Sequence, residues 1–152
     1  MIEKVKKLFV FTDGGASGNP GPAAVGVVIR QENGKVLTSF GKNIGRTTNN
    51  VAEYTAVIEA LRWLKENKEM WKWEAGSESV HFFLDSRLVV NQLNGFFKIK
   101  DAKLRELIVQ VRQLEQELGG NISYHLIPRE KNFLADREVK KIFMKFPKKP
   151  RT

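Results

Sequence analysis

The 152-residue sequence has no cysteine, only two histidines and no long apolar run. Without cysteine there can be no disulfide, thiol nucleophile or thiolate metal site, so a bound metal must use oxygen or nitrogen ligands. The longest apolar stretch, residues 23–29, is far shorter than the roughly 20 residues of a membrane-spanning helix. The N-terminal lysines precede only the short apolar stretch LFVF, which predicts a strand and not a signal peptide. We therefore expect a cytoplasmic protein without membrane association.

Acidic residues are outnumbered, because 26 Lys and Arg against 17 Asp and Glu give a formal net charge of +9. The excess lies at the chain ends: residues 137–152 contain seven Lys or Arg and one acid, whereas residues 8–136 are nearly neutral. One internal basic patch, Lys98, Lys100, Lys103 and Arg105, follows two phenylalanines. Basic residues beside aromatic ones suit a polyanionic partner. Ordinary solvated surface explains such charges equally well.

The hydrophobic periodicity predicts one α/β domain with the element order βββαβααβα. Asn33-Gly34 between the second and third strands is a strong hairpin signal, so the first three strands form an antiparallel meander. Amphipathic spacing distinguishes the helices from the strands. The predicted strands are residues 8–12, 24–30, 35–44, 80–84 and 122–127, and the predicted helices are residues 50–67, 86–93, 104–118 and 132–144.

Four carboxylates lie at the ends of predicted elements. Asp13 ends the first strand and Asp85 the fourth, while Glu53 and Asp136 lie in the early turns of the first and last helices. If strands one and four are parallel neighbours, both aspartates emerge at the same edge of the sheet. Clustered carboxylates need cations to stay ionised, and they supply the oxygen ligands that Mg²⁺ prefers. Two such ions roughly 4 Å apart would clamp a phosphoryl displacement.

Each of these acids also has a purely structural interpretation. Asp13 before two glycines fits an Asx turn, Asn50-x-x-Glu53 fits a capping box, and Asp85 precedes a short helix as an N-cap would. The glycine-rich segment of residues 14–22 lacks the Gly-Lys-Ser/Thr ending of a phosphate-binding loop and is expected to form a loop between two strands. The polar run of residues 46–50 suits either phosphate binding or helix capping.

Four segments in this order resemble type 1 ribonuclease H: FVFTDGGASGNPGPAAVGVVI, RTTNNVAEYTAVIEAL, FFLDSRLVVNQLNG and PREKNFLAD. The resemblance covers roughly residues 8–140 and implies a mixed five-stranded sheet with helices on both faces. It also implies hydrolysis of the RNA strand of RNA/DNA hybrids to 3′-hydroxyl and 5′-phosphate ends, with two Mg²⁺ or Mn²⁺ ions. We expect a catalytic domain at residues 1–146, a flexible basic tail at residues 147–152, and a monomer.

The resemblance assigns roles to particular residues. The catalytic, metal-binding carboxylates would be Asp13, Glu53, Asp85 and Asp136. The RNA-binding positions, which would read 2′-hydroxyl groups, are Gly14, Gly15, Asn19, Asn49 and Asn50. The positions that would contact the DNA strand or a phosphate are Arg46, Thr48, Phe96, Phe97, Lys98 and Lys100. Arg129, Glu130 and Asn132 are possible auxiliary residues.

The sequence departs from the family in three places. Many members carry a histidine in the loop before the last aspartate, where this chain has Arg129 and Glu130, and both of its histidines, His81 and His125, lie in predicted strands. The longer basic protrusion of some members is absent. Residues 137–141 (REVKK) replace the small and apolar residues usual after that aspartate. The tryptophans Trp63, Trp71 and Trp73 are interpreted as packing residues and not as base-stacking ones.

Three other functions share parts of this pattern. A hybrid-binding module that has lost catalysis would usually lack one of the four acids. A sugar kinase or ATPase of the same broad fold would share the segment of residues 13–17 but needs a longer chain to close two domains around ATP. A DDE transposase core would normally carry additional DNA-binding segments.

Overall fold

The computed structural model describes residues 7–71, 78–119 and 121–145. These residues form a five-stranded sheet in the order β3-β2-β1-β4-β5. Strand β2 pairs antiparallel with both β1 and β3, whereas β4 pairs parallel with both β1 and β5. The sheet is therefore mixed, and the expected antiparallel meander is present. The predicted tail and Trp73 lie outside the described residues.

The order of the elements is the predicted one, with a short 3₁₀ turn added before the last helix. The strands are β1 (Lys7–Ala16), β2 (Gly21–Gln31), β3 (Val36–Thr47), β4 (Ser79–Leu84) and β5 (Asn121–Leu126). The helices are α1 (Asn49–Glu66), α2 (Arg87–Leu93), α3 (Ala102–Leu118) and α4 (Phe133–Phe143), and the 3₁₀ turn is Arg129–Lys131.

Helices cover both faces of the sheet. Leu8 and Val10 of β1 point into the main core, to which α1, α2 and α3 also contribute buried side chains. The opposite face of the sheet carries α4, which approaches β2 and β3 closely at two glycines. A β-carbon on Gly26 would lie 2.1 Å from the carbonyl oxygen of Ala135, and one on Gly41 would lie 2.5 Å from that of Glu138. The two glycines thus allow α4 to sit directly on the sheet.

Strand β1 is longer than predicted, which corrects the expectation that Asp13 ends it. The glycine-rich segment continues the antiparallel ladder, with Gly15 paired to Ala24 and Ala16 to Ala23. Glycine is a poor strand former, but pairing with β2 outweighs that local preference. The parallel ladder with β4 already stops at Phe11 and Phe83. Asp13 therefore lies two residues beyond the point where β1 and β4 separate.

The start of α1 also differs from the capping-box interpretation. Thr48 is the N-cap, and its side-chain oxygen accepts a hydrogen bond from the amide of Val51 at 3.2 Å. Asn50 lies within the helix, so Glu53 is not the partner of a capping residue. Its carboxylate is available for another role.

The described tryptophans are packing residues, as predicted. Trp71 is 1% exposed and donates its indole N–H to the carbonyl of Leu64 at 3.1 Å, and Trp63 packs against the core. Within the described ranges, no helix combines the length and the apolar character needed to cross a membrane.

Candidate metal-binding active site

Three of the four predicted carboxylates converge at one edge of the sheet. Asp13, Glu53 and Asp85 each offer an oxygen, and these oxygens lie within 4.8 Å of one another. Asp13 extends from β1, Asp85 directly follows the end of β4, and Glu53 reaches the same point from the second turn of α1. The parallel pairing of β1 with β4 places the two aspartates side by side.

Gly14 brings α1 close enough for Glu53 to join the two aspartates. A β-carbon at this position would lie 2.2 Å from the carbonyl oxygen of Ala52, a backbone atom that cannot move independently of the helix. The amide of Gly14 also donates a hydrogen bond to Oε1 of Glu53 at 3.4 Å. Gly14 is therefore needed for the geometry of the cluster.

Burial and mutual proximity raise the pKa values of two carboxyl groups in the cluster. Burial, followed by the charge of Asp85, raises the pKa of Asp13 to about 7. Burial, followed by the charge of Asp13, raises the pKa of Glu53 well above its ordinary value. The carboxyl groups of Asp13 and Glu53 interact directly, so they titrate as a pair and not as independent groups.

Asn132 fixes the orientation of Asp85. This residue is fully buried, and its side-chain nitrogen donates to the backbone carbonyl of Thr12 at 2.9 Å and to Oδ2 of Asp85 at 2.8 Å. It thereby ties the end of β1 to the end of β4. Arg129, by contrast, is a peripheral neighbour, because its side chain is 87% exposed and its Nε lies 4.0 Å from Oδ1 of Asp85.

Asp136 lines the same cleft but does not belong to the three-carboxylate group. Its Oδ2 lies 2.9 Å from Nζ of Lys140, one helical turn further along α4. That hydrogen bond, with the charge of the carboxylate, raises the pKa of Lys140. The fourth acid therefore has a protein cation as its present partner.

The donor set fits a hard divalent cation. The ligand atoms are all carboxylate oxygens, the kind that Mg²⁺ and Mn²⁺ prefer. Oε2 of Glu53 is buried and has no hydrogen-bond partner in the described part of the chain. A buried carboxylate oxygen without a partner is costly, and a cation bound between the carboxylates would remove that cost.

The predicted RNA-binding residues adjoin the carboxylates. Gly14, Gly15, Asn49 and Asn50 line the same cleft of about 490 Å³. Two asparagines organise it: Oδ1 of Asn49 accepts from the amide of Ala16 at 2.8 Å, and Oδ1 of Asn19 accepts from the amide of Asn49 at 3.0 Å. Both asparagines thus retain their side-chain N–H groups as donors.

Several predicted DNA or phosphate contacts line a second, neighbouring groove of about 590 Å³. This groove contains the side chains of Thr48, Lys98 and Lys100, together with Asn19 and Asn50. Asn50 lines both depressions, so the groove adjoins the acidic cleft. One ligand could therefore contact the carboxylates and the basic groove together.

Five predicted residues do not line either depression in the residues that the structure describes: Arg46, Phe96, Phe97, Glu130 and Asn132. Phe96 and Phe97 are 75% and 44% exposed, and their amides donate to the carbonyl of Asn91. They form an exposed aromatic turn directly before the lysines of the groove. Glu130 is exposed in the 3₁₀ turn.

Sequence reasoning missed Lys140 and Phe143, which also line the acidic cleft. The available signal was spacing, since residues four and seven positions after Asp136 share its helix face. The basic residues after Asp136 were interpreted only as a departure from the family, and no role in the cleft was assigned to them.

Comparison with known proteins gives this architecture a class. Residues 11–142 match a family described as reverse transcriptase-like. The crystal structure of RNase H1 from Halobacterium salinarum superimposes with a TM-score of 0.81 at 34% identity, covering 92% of this chain and 99% of that one. The mixed sheet is that of the ribonuclease H-like class.

Two further relatives refine the comparison. An RNase H1 isolated from compost, solved in complex with an RNA/DNA hybrid, gives a TM-score of 0.79 at 38% identity and covers 90% of this chain and 99% of that one. A bifunctional protein of Mycobacterium tuberculosis is 37% identical over 132 residues, which are 86% of this chain and 34% of that protein. This chain thus spans about a third of the length of that relative. The chain belongs to the type 1 ribonuclease H family.

Proposed function

We propose that this chain is a metal-dependent endoribonuclease that hydrolyses the RNA strand of RNA/DNA hybrids to 3′-hydroxyl and 5′-phosphate ends. The observation that carries the proposal is the convergence of Asp13, Glu53 and Asp85 within 4.8 Å, beside a groove lined by lysines. The similar RNase H1 solved with a hybrid supports the choice of substrate.

The proposed metal ligands are Asp13, Glu53, Asp85 and Asp136. Two bound Mg²⁺ or Mn²⁺ ions would supply a Lewis acid for the attacking water and for the leaving 3′ oxygen. The chain itself contributes a preorganised set of acids, in which Gly14 holds Glu53 in reach and Asn132 orients Asp85. Lys140 is paired with Oδ2 of Asp136 and would compete with a metal ion for this carboxylate.

RNA specificity is assigned to Gly14, Gly15, Asn19, Asn49 and Asn50. A 2′-hydroxyl both donates and accepts hydrogen bonds and is absent from DNA. Asn19 and Asn49 use their oxygens within the protein and keep N–H donors for such a hydroxyl.

The complementary strand is assigned to the basic groove. Thr48, Lys98 and Lys100 line it and suit phosphate oxygens. We extend the same role to Arg46, Phe96 and Phe97 at its margin, while Arg129 and Glu130 remain proposed auxiliary groups near the cleft. The proposal includes residues 1–146 as the catalytic domain, residues 147–152 as a basic tail, and a cytoplasmic monomer. Light scattering in solution tests whether the chain is a monomer.

The test is cleavage of an end-labelled RNA strand in an RNA/DNA hybrid, with Mg²⁺, with Mn²⁺ and with EDTA. Single-stranded and double-stranded RNA are parallel substrates, and Asp13→Asn is the site variant. Glu66→Gln is the matched control, because this exposed acid lies at the opposite end of α1 from Glu53. We expect cutting of the hybrid that requires metal, is lost in Asp13→Asn and survives in Glu66→Gln. Binding of the hybrid without cutting in either metal would instead identify a catalytically silent hybrid-binding module.

A further inference from the structure

The chain has only two histidines, and the fold brings them together. His81 of β4 and His125 of β5 lie on adjacent parallel strands, where His81 pairs in register with Ser123. Nδ1 of His81 lies 3.4 Å from Nε2 of His125. The hydroxyl of Ser123 lies 3.0 Å from the first nitrogen and 2.8 Å from the second. Three potential ligand atoms therefore surround one point on the face of the sheet opposite the main core.

From this geometry we propose that His81 and His125 form a second metal site, specific for a late first-row divalent cation such as Ni²⁺, Cu²⁺ or Zn²⁺. Two nitrogens bound at about 2.05 Å to one tetrahedral ion lie about 3.3 Å apart. The observed separation of 3.4 Å matches that distance without movement of either strand. Ser123 and water complete the coordination.

The surroundings hold both rings in a ligand-ready orientation. The hydroxyl of Ser79 lies 3.0 Å from the other nitrogen of His81, Nε2, and is placed to accept a proton from it in the tautomer that binds metal through Nδ1. In that tautomer Nδ1, which lies on the side of His125, carries the free lone pair, and an oxygen that supports the second ring nitrogen is usual for a metal-binding histidine. Phe83 stacks on His125 with 5.3 Å between ring centroids, and Phe9 packs against His81 at 5.8 Å.

The neighbouring charges leave the site accessible to a cation. Burial, together with the charges of His125 and Lys7, lowers the pKa of His81. Lys7 disfavours a cation and Glu32 favours one, so the two nearby charges oppose each other. His125 is exposed, which gives an ion access from solvent.

Ligand chemistry separates this site from the carboxylate cluster. Imidazole nitrogens suit Ni²⁺, Cu²⁺ and Zn²⁺, whereas Mg²⁺ prefers oxygen. The histidine site therefore stays available to a transition metal when the carboxylates are saturated with Mg²⁺. Its occupancy does not depend on the ribonuclease proposal.

The experiment is a calorimetric titration of the untagged full-length chain with Ni²⁺ in excess Mg²⁺, accompanied by the electron paramagnetic resonance spectrum of bound Cu²⁺. We expect one Ni²⁺ per chain and hyperfine coupling to two nitrogens. His81→Asn and His125→Asn should each weaken Ni²⁺ binding more than tenfold, and Ser79→Ala should weaken it by about tenfold. Ser39→Ala, on exposed β3 of the same sheet, is the control and should change nothing.

Further variants distinguish the two metal sites. Asp13→Asn should leave Ni²⁺ affinity unchanged, and both histidine variants should retain metal-free thermal stability and Mg²⁺-dependent cleavage of a hybrid. The proposal is overturned if Ni²⁺ binds the histidine variants as tightly as the original chain, if Asp13→Asn abolishes binding, or if Cu²⁺ couples to one nitrogen only.

Discussion

Replacing Asp13 by asparagine should stabilise the metal-free protein. The pKa of Asp13 is raised from 3.8 to about 7, and each pKa unit corresponds to about 1.36 kcal/mol, so the ionised carboxylate opposes folding by roughly 4 kcal/mol. A buried amide has a desolvation cost of its own, about 1–3 kcal/mol. The net gain is therefore about 2 kcal/mol, which for a chain of this length raises Tm by roughly 4–8 °C. Loss of the Asp13 charge also relieves the neighbouring Glu53.

The pH dependence follows from the direction of the shift. Below about pH 4, the ordinary pKa of an aspartate, Asp13 is protonated in both states and does not oppose folding. As the pH rises to about 7, the unfolded chain loses this proton before the folded chain does, so the original protein loses stability relative to the variant. The advantage of Asp13→Asn should be small at pH 4 and complete at pH 8.

The assay is thermal unfolding followed by circular dichroism in EDTA at both pH values, and then in Mg²⁺. Mg²⁺ should raise the Tm of the original chain more than that of Asp13→Asn, because the ion neutralises the repulsion that the substitution has already removed. Glu66→Gln should have a Tm within about 2 °C of the original, as expected for an exposed site. The reasoning is refuted if Asp13→Asn is less stable than the original chain at pH 8 in EDTA, or if its gain in Tm is the same at both pH values.

Three other substitutions test the parts around the cluster. Lys140→Met should free the fourth carboxylate and tighten Mg²⁺ binding about two- to fivefold by calorimetry, as expected for loss of an exposed ion pair, whereas Lys141→Met should not. Equal effects of the two changes would contradict a specific role for the first lysine. Asn132→Ala should lower the free energy of unfolding by about 2 kcal/mol in urea and reduce hybrid cleavage, because two buried acceptors lose their donor; unchanged unfolding would count against that role. Gly14→Ala should reduce cleavage and destabilise the fold by about 1–3 kcal/mol. Gly15→Ala should be tolerated, because its new β-carbon would lie no closer than 3.9 Å to another residue. Similar losses in both variants would exclude the close approach of residue 14 to α1 as the cause.

The sequence predicted the element order because its local signals agree with the tertiary structure. Asn33-Gly34 forms the turn between β2 and β3, with Gly34 at a φ of 93°. Asp85 follows the end of β4 as predicted, because the apolar strand ends at the first charged residue. The continuation of β1 through Gly14 and Gly15 was not predicted, because glycine is a poor strand former and its strand conformation here comes from pairing with Val25 and Ala24 of β2.

The sequence identified which residues form the site, but not which of them contact one another. Spacing and order identified all four acids, but no local pattern shows that three converge while Asp136 pairs with Lys140. The same limit applies to the histidines. His81 and His125 are 44 residues apart, and their contact depends on the register of β4 with β5.

Alternate residues of β4 place two kinds of ligand on one face of the sheet. Ser79, His81, Phe83 and Asp85 share this face because side chains of a strand alternate. His81 and Asp85 are four residues apart, which corresponds to about 13 Å along a strand, and the aromatic ring of Phe83 lies between them. At that distance an ion bound by imidazole and an ion bound by carboxylates share no ligand, and salt largely screens their mutual repulsion. Ligand type therefore decides which cation each end of the strand takes, so occupancy of one site should leave the affinity of the other nearly unchanged.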